Sequence, residues 1–358
     1  MNKVLLVGLL LGVLITATNC KKDKKDEDTT PDDFNRSELM VNIANNVIVP
    51  QYLSFQVELN QLNTDYSTFI SNQNSTTLQT VQDQLIETMI AWQSASMFEI
   101  GPAMNVGLRG AIGAFPTDTA KVLSNISAGS YNLGTADNTT SIGLSAMDFL
   151  LFRANALDHF SSLNYQQYGS DVLQKMLIEI NGVVTQWQSG YVQTFIAGTG
   201  TESTSTFSKL VNEFSLDYEL IKNAKVGTPL GVYSLGVTLP GYIEARYSGI
   251  SLQLIEESVK ASQRLFNGNK LDGTTGIGFD DYLVALEKSA LANAINTKYA
   301  EIIAAENALS GTLEENLVSN IGGVQALHLK LSEMVVMIKT DMPSSFGVLI
   351  TYQDNDGD

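Results

Sequence analysis

The chain of 358 residues has one cysteine and two histidines, His159 and His328. One cysteine excludes an internal disulfide and a thiolate metal cage, and two histidines leave little for a histidine-rich zinc site. Cations are scarce as well: 21 Lys plus Arg stand against 38 Asp plus Glu, a formal net charge of −17. Such a surface repels phosphates and anionic headgroups, so nucleic acid is not an expected partner. Charged residues make up 16% and hydrophobic residues 44% of the chain, the balance of a packed globule. No Gly-x-Ser-x-Gly elbow occurs, and the Gly-rich stretch 226–241 lacks the lysine spacing of a phosphate loop.

Residues 1–20 read as a secretory signal, with Lys3 ahead of an apolar run from Val4 to Ile15 that is short for a membrane span. Thr16 to Asn19 lead into Cys20 and resemble a lipoprotein processing site, with Asn19 a loose match to the usual small residue. Residues 21–34 are charged and polar, the composition of a solvated tether. The expectation is a body anchored by lipid at Cys20 on the outer membrane. The charged stretch behind the cysteine resembles the surface-export signal of Bacteroidetes lipoproteins, so the cell surface and the periplasmic face are both open.

Beyond residue 35 the apolar period is three to four, which predicts an all-α body. Leu78, Val81, Leu85, Met89 and Trp92 form one stripe; Leu173, Leu177, Ile180, Val184 and Trp187 another. Leu252, Ile255, Val259 and Phe266 continue the pattern, as do Leu291, Ile295, Tyr299 and Ile302, and Val324, Leu327, Leu331, Val335 and Ile338. Breaks are expected at 127–140, 197–205, 226–241 and 267–278, and Thr77 is an expected helix cap. The break at 197–205 divides the body into 35–200 and 201–358, as two packed helical bundles or one larger bundle. The β-branched cluster 347–352 is a candidate short strand or irregular tail. Asp354 to Asp358 has the look of a calcium loop but ends before a distal glutamate, which favours a solvated acidic tail.

Three stretches together resemble the imelysin-like family of bacterial helical proteins. They are Ala91-Trp92-Gln93 through Glu99-Ile100-Gly101-Pro102 and on to Phe115-Pro116; Gly143-Leu144-Ser145-Ala146-Met147-Asp148 through Phe152; and Lys225 to Gly231 with Glu244 to Gly249. The terminal stretch from Tyr352 to Asp358 also resembles the end common in that family. The resemblance implies two helical bundles with a site in the groove between them. It also implies a metallopeptidase origin and a link to iron uptake.

The family's hallmark is Gly-x-His-x-x-Glu, and its positions here are Gly143, Ser145 and Asp148. A His and a carboxylate three residues apart share one helix face and can address one metal. Serine is a poor zinc ligand and no base near neutral pH, so a peptidase here would need substituted ligands from elsewhere. Two roles remain open for Ser145 and Asp148: an inert pair, or a hydroxyl and carboxylate offered to a polar ligand. Glu99, beside a helix break, is a candidate groove residue. So are Glu244 and Arg246, the latter able to clamp a carboxylate of a ligand or of its own chain. His328, between two leucines, reads as a hydrogen-bonded or interfacial side chain.

The leading expectation is a non-catalytic ligand-binding or accessory protein in iron or other nutrient uptake, acting with uptake-system proteins. A divalent metal or iron is the candidate cofactor. The alternatives are a metallopeptidase and a structural or adhesion lipoprotein.

Overall fold

Some helices in this chain begin where a side chain offers an acceptor to the otherwise orphaned first amides, as Asp118, Thr312 and Asn320 do. In the computed structural model, which describes residues 34–352, Asn74 takes that role for the second long helix. Its side chain accepts from the amides of Thr76 (2.9 Å) and Thr77 (3.1 Å), and the Asn74 amide donates in return to the Thr77 hydroxyl. The expected cap, Thr77, is thus the second half of a reciprocal capping box, and the helix starts earlier than expected. The signal segment 1–20, Cys20, most of the tether and the acidic stretch 354–358 lie outside the described residues.

Among the helices that carry the described body are α1 (Val49–Ser71), α2 (Ser75–Ala95), α3 (Gly143–Phe152), α4 (Leu163–Gln186), α5 (Thr206–Leu220), α6 (Ser251–Phe266), α7 (Ser289–Asn307) and α8 (Ile321–Val336). Helix α1 packs on α2 and α4, α7 packs on α8 and α6, and α2 meets α6 to join the two groups. Every residue of the five sequence stripes is buried or half-buried, which is why amphipathic periodicity reports this fold well. Helix α3 differs: Gly143 to Leu151 are all buried, so it runs through the interior rather than along it.

No strand occurs among the described residues. The β-branched tail is extended without a strand partner, and the Asn212 side chain substitutes for one. Its amide donates to the Leu349 carbonyl (3.1 Å) and its carbonyl accepts from the Thr351 amide (2.7 Å). The expected break at 197–205 is a loop between Ala197 and Thr206. The expected break at 226–241 starts later than its composition suggests. After α5 the chain continues through a π-helical stretch, Ile221–Gly227, and one more turn, Thr228–Leu230. A wider turn of this kind rotates the side chains it carries, Lys225 among them, off the α-helical face.

Candidate functional site

The motif positions come together, and the chain itself occupies them. Asp148 is 1% exposed. One carboxylate oxygen accepts from the Tyr247 amide (3.0 Å) and the other from the Ser248 amide (2.9 Å). Burial outweighs these bonds and raises its pKa to about 6. Ser145 lies beside it, and the space they share with Thr117, Arg246 and Tyr247 is ≈ 30 Å³, about one water molecule. Gly143 has φ +79°, and a Cβ there would lie 2.4 Å from the Ile112 carbonyl oxygen, so the motif glycine allows α3 to begin against another helix end.

A divalent metal at this motif would find no donor set. Serine is a weak ligand and both Asp148 oxygens are engaged. Among the described residues no group of three or more His, Cys, Asp and Glu side chains converges to hold one. His159 is half-buried and stacks on Tyr165 at 5.6 Å. His328 is on α8, with a buried Nε2 lacking a partner and a pKa lowered by burial and by Lys222.

Glu244 and Arg246 diverge, as their spacing of two requires. Arg246 points outward and clamps Glu314 bidentately, Nε to Oε2 at 2.9 Å and Nη2 to Oε1 at 2.6 Å. Glu244 points inward, 8% exposed, and pairs with Lys225. Lys225 also donates to Gln93 Oε1 (2.7 Å), whose amide donates to the other Glu244 oxygen (3.3 Å).

This inward network borders the larger cavity, ≈ 440 Å³, which Glu99 lines as well. Glu99 Oε2 accepts from the Arg109 amide at 2.9 Å. The Arg109 guanidinium donates to the Ser96 carbonyl (3.2 Å) and to Glu213 (3.1 Å), with Asp217 at 3.9 Å. Burial raises the pKa of Glu99 and Asp217 and lifts Glu213 to about 7, while the guanidinium pulls each of them back. Trp92 and Phe115 form aromatic walls, the Phe115 ring lying 5.4 Å from Lys225 Nζ. Gly113 fits against Trp92, where a Cβ would come within 2.2 Å of the indole nitrogen.

Arg109, Asp217, Lys225 and Gln93 are the cavity residues that sequence reasoning missed as site residues, as it missed Glu213, which pairs with Arg109 behind them. One signal was available. Glu213 and Asp217 are one helical turn apart beside Phe214 and Tyr218, so two acids fall next to a core-facing stripe.

The family model described as Imelysin matches residues 48–331. A candidate iron-regulated protein A precursor from Parabacteroides distasonis ATCC 8503 superposes with a TM-score of 0.74 at 15% identity, covering 87% of this chain and 95% of that one. An imelysin-like protein from Psychrobacter arcticum 273-4 gives 0.73 at 17% identity, covering 89% and 99%. No curated protein matches.

Proposed function

From the premise that the chain belongs to the imelysin family, we propose that it is a non-catalytic, lipid-anchored binding protein of the outer membrane that serves nutrient acquisition, iron uptake included. One observation carries the reading. The motif carboxylate of Asp148 is held by the amides of Tyr247 and Ser248, while a cavity of ≈ 440 Å³ lined by charged and aromatic side chains lies apart from it. Hydrolysis by a metal needs three ligands and an open position for water, and the motif supplies neither. A cavity of that size is in the range of small-ligand sites, about 300–1,000 Å³.

The iron connection is supported by the likeness to the Parabacteroides protein, which is described as iron-regulated, and the anchor by the sequence ahead of Cys20. The purified protein should leave denatured casein intact with zinc present, and a chelator should change nothing. Chelator-sensitive cleavage that persists after contaminating proteases are removed would overturn the reading. For the anchor, fatty-acid labelling should be lost in Cys20→Ser; retained labelling would remove it.

A further inference from the structure

Asp217 is 6% exposed and lines the cavity, and among the described residues no side chain or amide lies within hydrogen-bond reach of its carboxylate. Its nearest cation is Arg109 Nη2 at 3.9 Å, beyond hydrogen-bond reach. Buried polar side chains are ordinarily hydrogen-bonded, so a carboxylate without a donor that opens to a cavity marks a place for a donor from outside.

The charges around it indicate which donor. Facing this space are the carboxylates of Glu99, Asp217 and Glu244, with Glu213 behind Arg109. The cations are Arg109 and Lys225 alone. Lys225 is paired with Glu244 and acts on Asp217 only at longer range, and one guanidinium is shared among Glu99, Glu213 and Asp217. Tyr52, Tyr191 and Tyr299 stand around the group as phenols that burial keeps neutral. The cavity is thus deficient in positive charge and has Trp92 as an apolar wall.

We propose that the cavity binds a small organic cation, its ammonium or guanidinium group donating to Asp217 and Glu99 and its carbon frame lying against Trp92. The proposal rests on the binding-protein reading and names its ligand class. A bare metal ion fits less well, because the acids ring a roomy space and do not converge on a point. A bound cation would also restore full ionisation to the surrounding acids, so binding releases protons.

Calorimetric titration of the purified protein tests this, with butylamine, agmatine and glucosamine as cations and butyrate, citrate and zinc chloride as contrasts. At least one amine should bind, in preference to the contrasts. At pH 6.5 the heat should differ between buffers of different ionisation enthalpy in the sense of proton release. Asp217→Asn should weaken binding at least tenfold, and Asp280→Asn, remote from the cavity, should not change it. Glu99→Gln, at a half-buried position, should weaken it too and serves if Asp217→Asn does not fold. Failure of every amine, or amine binding unaffected by both cavity variants, overturns the proposal. Preference for a carboxylate probe overturns the cation assignment and leaves the binding-protein reading standing. Chelator-sensitive proteolysis in the same preparation overturns the binding-protein reading instead.

Discussion

Asp148→Ala should destabilise the protein by about 2 kcal/mol or more at pH 5, because two partly buried amides lose their acceptor and each lost bond is worth about 1 kcal/mol or more. The amides are those of Tyr247 and Ser248, so the variant should also loosen the segment that carries Glu244 into the cavity. The loss has a pH signature. The folded-state pKa of Asp148, about 6, is above the ordinary value of 3.8. Between those values the folded protein binds more protons than the unfolded chain, so stability falls as pH rises from about 4 to 6. The total fall over that range is on the order of 3 kcal/mol for this one group.

Glu213 and Glu306, near 7, and Asp280, near 6, act in the same sense, and the lowered pKa of His328 acts weakly against them. Wild type should therefore be more stable at pH 5 than at pH 7.5. The Asp148→Ala gap should be larger at pH 5 than at pH 8, as the variant no longer bears the buried charge. Urea titrations at three pH values measure both effects; a gap that widens with pH would show that the amides outweigh burial.

Gly143→Ala should cost more than about 3 kcal/mol or leave little soluble protein. A left-handed backbone is unfavourable for alanine by about 1–2 kcal/mol. The added methyl group would also lie 2.4 Å from the Ile112 oxygen and 2.9 Å from its carbonyl carbon. Those are backbone atoms at the end of a packed helix, so relief requires moving one helix against another. The same substitution at Gly110, where a Cβ meets nothing within 4 Å, should be nearly neutral in a urea midpoint comparison. Equal effects at the two positions would remove the packing explanation.

The fold was legible because periodicity reports burial directly: Val81, Leu85, Met89 and Trp92 are spaced as a buried helix face and are buried as one. The motif was legible as residues and opaque as geometry. Nothing in Ser145 or Asp148 tells a reader that the amides of Tyr247 and Ser248, a hundred residues on, will fill the carboxylate. Glu244 and Arg246 show the same limit, since their spacing says that they diverge but not which one turns inward. The cavity was the least legible part. Arg109, Asp217 and Lys225 come from a short helix, a long helix and a π-helical stretch, and only tertiary packing brings them together.

The central claim is that the motif carboxylate ties two segments of the chain and holds no ion. Crystals soaked in zinc and in ferrous salts, with anomalous diffraction collected at each metal edge, test it most directly. The account predicts no anomalous peak within about 3 Å of the Asp148 oxygens, a distance beyond any zinc–oxygen bond, and amide contacts from Tyr247 and Ser248 that persist. A peak bridging Asp148 and Ser145, with those amides displaced, would contradict it.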